Sequence, residues 1–408
     1  MRKLTFLLLI LTLTAFIARA GGYQVGLHGQ KNIGMGLIGT SLHQDASSIF
    51  YNPAGMSFLQ SDFSFSGGVS FIMARVTYQA KDMVYQAHLQ HEINTPFYFY
   101  GAMKATKDLS VGIAVNAPYG NGLKWDDKWA GRYLIQDIYF KAITIQPSVS
   151  YKFKDLISIG AGLVYAFGSV DMNKAIPVQD ASGDGNLHIK GKTDNWGFNA
   201  GILVQPTKKL SLGLDYRSKI DMKVKSADAT FDMPSVLASS YPATNKVSTS
   251  LPLPANLDFG ASYEFSDKFM IGLNLCYVFW GVHDSVTYDF ETKTDKLDKI
   301  TSPSLYKDKL IIRLGAQYKL CELLTIRLGG YYDPSPIPDD YFHPQTPNNN
   351  ELGLTCGLSI YPVKKLSIDA AFLYLMGFER DGIYTPDNFA GKYKSAFYIP
   401  GIGLTYNF

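Results

Sequence analysis

The chain has 408 residues and a formal net charge of +3, with 18% charged and 14% aromatic residues. Lysine and arginine nowhere form a block, so the sequence lacks the basic footprint of a nucleic-acid partner or a polybasic membrane-surface segment. Beyond residue 20, charge interrupts every apolar stretch before it reaches the roughly 20 residues of a spanning helix; the run from Leu156 to Val170, for example, lies between Asp155 and Asp171. Helical membrane proteins are thereby excluded, whereas a barrel, whose strands need only about 9–11 residues each, is not.

At the N-terminus, Arg2 and Lys3 precede an apolar run from Leu4 to Ala18, and Ala18-Arg19-Ala20 fits a small-x-small cleavage site. Residues 1–20 read as a secretory signal peptide cut after Ala20. The cut removes Arg2, Lys3 and Arg19, leaving 38 − 3 = 35 basic residues against 35 acidic ones, a mature net charge of 0. Gly21, not a cysteine, directly follows the cut, so a lipid anchor is not expected. Three cysteines, Cys276, Cys321 and Cys356, make an odd count without a Cys-x-x-Cys or His-rich setting, and neither a disulfide framework, a metal site nor a cofactor is expected.

Residues 21–60 are punctuated by Gly22, Gly26, Gly29, Gly34, Gly36 and Gly39 and then carry Asn52-Pro53-Ala54-Gly55. Their weak periodicity fits no strand, yet Leu37, Ile38, Ile49, Phe50 and Met56 ask for burial. A hatch folded inside a barrel lumen satisfies both demands.

From residue 61 to 408 the pattern is one of hairpins. Leu310, Ile312, Leu314, Ala316, Tyr318 and Leu320 oppose Arg313, Gln317 and Lys319; Leu210, Leu212, Leu214 and Tyr216 oppose Ser211, Asp215 and Arg217. The same alternation closes the chain from Ala396 to Phe408, and each case is a strand with two differently solvated faces. Six short polar connections, at residues 104–108, 152–155, 206–209, 266–268, 319–322 and 362–365, alternate with seven long ones, near 79–94, 120–137, 171–192, 232–246, 287–307, 334–350 and 379–392. Soluble sandwiches share the alternation within strands but not this alternation of connections. The sequence predicts an all-β transmembrane antiparallel barrel of fourteen strands, with short periplasmic turns and long outer loops.

Several blocks carry a family resemblance over nearly the whole mature chain. Gly329 opens Gly-Gly-Tyr-Tyr-Asp-Pro-Ser-Pro-Ile-Pro-Asp-Asp, which continues through Pro344 and Pro347; Phe50-Tyr51-Asn52-Pro53-Ala54-Gly55, Trp129-Ala130-Gly131-Arg132-Tyr133, Pro147 to Lys152, Leu212 to Lys219 and Leu251 to Ala255 support it. Together they resemble the long-chain fatty-acid transporter family of outer-membrane proteins, which also includes toluene and xylene channels. The resemblance implies a monomeric channel in the outer membrane of a Gram-negative bacterium, taking up hydrophobic small molecules passively, long-chain fatty acids ahead of aromatic hydrocarbons. It also implies a capture groove between the third and fourth outer loops, an inner pocket, and a kink in the third strand through which cargo leaves sideways into outer-membrane lipid.

In that layout Ile176, Val178 and Leu187 on the third loop and Phe231, Met233, Val236 and Leu237 on the fourth are the capture candidates, packing of the two loops on each other being the alternative. Arg217, Arg313 and Arg327 fall on the lumen-facing parity and are candidates to meet a carboxylate, unless Asp215 and Asp369 take them first. Gly112 is the candidate for lateral opening, ahead of Pro118 and Gly120. Enzymatic signals are weak: His88 and His91 have no third ligand nearby, and Asp180-x-Ser182-x-Asp184-Gly185 places Gly191 where a calcium loop needs Glu. No nucleophile elbow, phosphate loop or dinucleotide fingerprint occurs. The competing expectations are a surface-binding, adhesin-type barrel and an outer-membrane phospholipase.

Overall fold

A computed structural model describes residues 22–178 and 183–408; the expected signal peptide, residues 1–20, lies outside the described residues. Fourteen strands run in chain order: β1 (Phe63–Ser70 and Ile72–Ala80), β2 (Gln86–His88, Ile93–Asn94 and Phe97–Lys104), β3 (Leu109–Lys124), β4 (Asp137–Phe153), β5 (Ile157–Ile176), β6 (Gly185–Thr207) and β7 (Leu210–Arg217 and Ile220–Asp232). They continue as β8 (Thr244–Leu253 and Asn256–Ser266), β9 (Phe269–Val278 and Ser285–Phe290), β10 (Lys299–Pro303 and Lys309–Cys321), β11 (Leu324–Asp333), β12 (Glu351–Val363), β13 (Leu366–Tyr384) and β14 (Phe389–Asn407). Each pairs antiparallel with its sequence neighbour, and β1 closes the ring on β14, from Ser64↔Asn407 to Val69↔Ile402 and again from Met73↔Tyr398 to Ala80↔Gly391. Closure joins the two ends of the sheet, as a barrel in hydrocarbon requires because lipid cannot satisfy exposed backbone groups, and leaves one local break in pairing, between β2 and β3 beyond Asn116.

The two faces of each strand follow the alternation read from the sequence. Along β14, Ile402, Leu404 and Tyr406 are 53%, 50% and 41% exposed on the outer face, while Ser395 and Thr405 are buried inward. Leu314 on β10, Leu328 on β11 and Leu354 on β12 continue the outer apolar band. Aromatic pairs rim it: Tyr151–Phe153, Tyr263–Phe265 and Tyr406–Phe408 beside the short turns, with ring centroids 4.8–5.4 Å apart, and Tyr165–Trp196 at the other end at 4.7 Å. Such girdles mark the two membrane interfaces.

The six short turns lie where the sequence puts them, but the outer connections are shorter than expected because strands run far past the apolar band. The 23-residue β6 begins at Gly185, β5 runs to Ile176, and Lys174↔Leu187 and Phe231↔Leu187 are register pairs, so the ladder takes in much of what the sequence assigns to the third outer loop. Ile176, Leu187 and Phe231, expected on loops, therefore stand in strands.

Residues 23–59 are almost entirely buried, polar ones included. They form a short helix, α1 (Gln30–Gly34), a helical turn, α2 (Ser48–Tyr51), and a 3-10 turn (Pro53–Phe58). Their hydrogen bonds reach strands all the way round the ring: Gln30 to Ser70 of β1, Gln146 of β4 to Ile49, Ser158 of β5 to Ala54, Asn274 of β9 to Thr40, and Thr355 of β12 to Gly34 and Gly36. The segment consequently sits within the ring. Glycines on the inner wall make room for it. A Cβ on Gly160 would lie 2.4 Å from Ala54 N, and Cβ atoms on the cross-strand pair Gly315 and Gly329 would lie 2.1 Å from Met35 O and 2.3 Å from Gly36 N.

Candidate functional site

Above the buried segment the barrel holds a cavity of about 560 Å3. Leu27, Leu37, Phe140, Trp280, Ile311 and Leu373 supply its apolar wall. Its polar end is built by three adjacent strands and the loop after β11: Arg313 on β10, Asp333 on β11, Glu351 on β12 and Asn348. Asp333 and Glu351 are direct cross-strand partners, and Arg313 pairs with Tyr331, two residues before Asp333. A smaller cavity of about 130 Å3 lies beside it; Asn121, Phe140 and Thr346 line both, so these residues form the partition.

The opposite wall is interrupted. β2 and β3 pair from Lys104↔Ser110 only as far as Tyr98↔Asn116, and the β3–β4 register slips between Asn116 and Tyr119. Beyond Asn116, Gln90 N donates to Lys124 O at 2.8 Å and Asn94 Nδ2 to Gly122 O at 3.5 Å, with no continuous ladder between. The cavity lining reaches both lips of this gap, with Ile93 and Pro96 on one and Ala117 and Gly120 on the other. Pro118 has no N–H to offer a neighbouring strand, which fits an interruption here. Gly112, by contrast, lies in unbroken pairing with Ala102 and Ser148. A Cβ there would meet Ile49 Cδ1 at 2.7 Å, so its smallness serves the buried segment rather than a bend.

The edge that β2 leaves on β3 is taken by the start of the described chain. Val25 N donates to Pro118 O at 2.9 Å and Gly120 N to Tyr23 O at 3.1 Å, making an antiparallel bridge centred on Gln24↔Tyr119. Tyr23 is anchored further by its hydroxyl on Pro252 O and by edge contacts with Phe140 and Trp280 at 5.8 and 4.9 Å. Sequence reading missed these residues, because a bridge between residue 24 and residue 119 leaves no local pattern.

Among the arginine candidates, Arg217 donates to Gln146 Oε1 at 3.0 Å and Phe50 O at 2.7 Å and stacks on the Phe50 ring at 4.2 Å. Arg327 donates to Gln317 Oε1 at 2.7 Å and Ser359 Oγ at 2.6 Å. Both hold the structure together below the cavity and neither lines it. Arg313 does line it: one Nη reaches Leu37 O at 3.4 Å, and its Nε has no partner among the described residues. Asp215 and Asp369 do not form ion pairs with these arginines; Asp215 accepts from Asn199 at 2.9 and 2.8 Å, and Asp369 accepts from Ser367 and Thr405 and lies 3.9 Å from Lys31.

Asn52, Pro53, Ala54 and Gly55 are the joint of the buried segment. Asn52 Nδ2 donates to Thr40 O and Ile202 O, both at 3.0 Å, while its Oδ1 caps the 3-10 turn by accepting from Ala54 N at 3.1 Å. Pro53 needs no N–H partner at that first position. Burial, and next the Arg217 guanidinium, pull the His28 imidazole down to about 3, so it is neutral at ordinary pH.

The capture candidates do not converge. Leu187 lines the smaller cavity, whereas Phe231 packs on Tyr241 and Phe290 at 5.7 and 6.1 Å, and Met233 sits against Gly185. Ile176 is partly buried against the core, Val178 and Leu237 are half-buried, and Val236 is 81% exposed. Among the described residues no group of three or more His, Cys, Asp or Glu could hold a metal ion. The calcium-loop-like run lies partly outside the described residues, and its Asp184 is held by Arg132 and Tyr133 at 2.7 Å each.

Comparison with known proteins places this geometry. A crystal structure of a Pseudomonas aeruginosa FadL homologue superposes with a TM-score of 0.84 at 20% identity, over 95% of this chain and 100% of that one. The toluene transporter TodX of P. putida gives 0.74 at 15% identity, over 93% and 98%. By sequence, a putative outer membrane protein of Neisseria meningitidis serogroup B is 25% identical over 91% of this chain and 90% of its own length, and the long-chain fatty acid transport protein of Salmonella typhi is 23% identical over 88% of each. The family model described as outer membrane protein transport protein (OMPP1/FadL/TodX) matches residues 11–408, and the chain therefore belongs to that family of Gram-negative outer-membrane hydrophobic-substrate channels.

Proposed function

We propose that the protein takes up hydrophobic small molecules passively across the outer membrane, long-chain fatty acids first among them and aromatic hydrocarbons second, as a monomer without enzymatic chemistry. The observation that carries the reading is the continuity of the larger cavity from the polar end at Arg313 to the lips of the gap between β2 and β3. Cargo enters from the outer side past Leu187 and the partition at Phe140, rests in the cavity, and leaves sideways between Ile93 and Ala117 into lipid. Residues 21–60 act as the hatch that denies it the straight route, with Asn52 fixing the 3-10 turn to β6. The strands themselves align apolar side chains with the cavity, so transfer from the aqueous side gains about 25 cal/mol per Å2 of apolar cargo surface removed from water.

Uptake of radiolabelled oleate and toluene by a deletion strain, with and without the gene restored, tests this reading. Restored uptake of either is the expected result. Uptake of both that is indifferent to the gene overturns it. No observation in the structure favours an adhesin or a phospholipase.

A further inference from the structure

The polar end of the larger cavity has a composition that selects among hydrophobic cargoes. Three buried polar atoms there lack a partner among the described residues: Asp333 Oδ1, Asn348 Oδ1 and Arg313 Nε. Glu351, 94% buried and opposite Asp333 in register, brings a second carboxyl to the same place. Two acceptors and one donor, with two carboxyls against one guanidinium, want a group that can donate and accept at once. A hydroxyl does both. A carboxylate or sulfate offers acceptors only and has no proton for Asp333 Oδ1 or Asn348 Oδ1, and a quaternary ammonium offers neither donor nor acceptor.

Resting on the channel reading above, we propose that the cavity holds its cargo by a neutral hydroxyl group that donates its one proton to Asp333 or Asn348 and accepts from Arg313. Alcohols, phenols and the protonated form of a fatty acid are accepted; permanently charged amphiphiles are not. The apolar body lies along Leu37 and Trp280 toward the gap on the far wall. A fatty acid thus sheds its charge before the inner step, taking up a proton in the aqueous phase rather than from the protein.

The test compares cargo of one chain length. The full mature chain is placed in nanodiscs of zwitterionic lipid, and 1-decanol, decyl sulfate and decane are titrated while Trp280 fluorescence is followed, with Trp280→Phe as the blank. Decanol is expected to bind at least about tenfold more tightly than decyl sulfate, the size of penalty for leaving a buried acceptor without a donor. The isosteric double variant Asp333→Asn/Glu351→Gln is expected to narrow that ratio by about tenfold, mainly by gaining affinity for the sulfate. Sulfate binding as tight as decanol in the unmodified protein overturns the hydroxyl assignment and leaves the channel reading standing, as does a ratio unchanged in a folded double variant. Should none of the three ligands bind, decane included, both readings fall. Heat-modifiable gel mobility reports whether the double variant folds; if it does not, the comparison in the unmodified protein decides alone.

Discussion

The bridge between residues 23–25 and the free edge of β3 makes a quantitative claim about the lateral exit. Val25 N donates to Pro118 O at 2.9 Å, and Val25→Pro removes that donor while keeping an apolar side chain. A backbone hydrogen bond of this kind contributes about 0.5–1.5 kcal/mol net, so losing it shifts the closed-to-open balance of the exit by roughly 2–10-fold. The companion bond, Gly120 N to Tyr23 O at 3.1 Å, remains, together with the Tyr23 hydroxyl on Pro252 O. Adding Tyr23→Phe removes the latter anchor, and the two effects compound because the groups lie on one short strand segment. Labelled-cargo uptake at equal protein abundance reads the result: Val25→Pro is expected to raise the initial rate by a few-fold and the double variant to raise it further. A Val25→Pro protein that shows heat-modifiable mobility, reaches the outer membrane and transports at the unmodified rate would refute the idea that this bridge closes the exit.

Four further outcomes follow from the same contacts. Gly329→Val puts a side chain where Gly36 N lies 2.3 Å away, so the buried segment must be displaced and conductance in planar bilayers is expected to rise; unchanged conductance in a folded variant refutes the close fit. Deleting residues 22–60 is expected to leave an insertable barrel with a still larger conductance, and a low one denies the hatch role. Lys31→Met strips the cation from Asp45 at 3.2 Å and Asp369 at 3.9 Å, both buried; breaking such a group costs about 3–5 kcal/mol, visible as a lower urea midpoint. Burial, and next Lys174, hold the loop residue His343 down at about 3, below the roughly 6.5 of an unfolded histidine, so the unlatched loop binds the extra proton. The loop's stability is complete above pH 6.5 and lost as pH falls toward 3, by about 1–2 kcal/mol at pH 5; hydrogen exchange of residues 334–350 should quicken on acidification and His343→Gln should flatten the response.

Periodicity makes the barrel legible in the sequence, because a period of two leaves a strand no choice of face once one side meets lipid. Leu310 to Leu320 could be read alone, and six tight turns such as Pro206 to Lys209 fixed the count. Loop boundaries were not legible to the same degree. Ile176, Leu187 and Phe231 looked like loop residues since they stand beside Pro, Asp and Asn, yet the ladder runs on past the membrane and takes them in; pairing is decided by the neighbouring strand, which a local window does not contain.

The site residues divide along the same line. All three arginines are on the lumen parity, but parity says only that a side chain points inward and not what occupies the lumen at that height. Arg217 meets Phe50 O and Arg327 meets Gln317 and Ser359, both beneath the cavity, so only Arg313 remains beside open space. Asp333 and Glu351 escaped notice for a sharper reason. They flank a 17-residue connection, 334–350, whose Pro-rich sequence reads as loop, and only the register Asp333↔Glu351 sets them face to face. Gly112 and Pro118 show the converse, since sequence offered both and the choice between them turned on a partner: Gly112 yields to Ile49 from the buried segment, whereas Pro118 presents its carbonyl to Val25 where β2 has turned away. The chemistry of this channel is thus encoded less in any strand than in where one stretch of some forty residues comes to rest against the fourteen strands, a matter of close approach that glycine positions announce only after the partner is known.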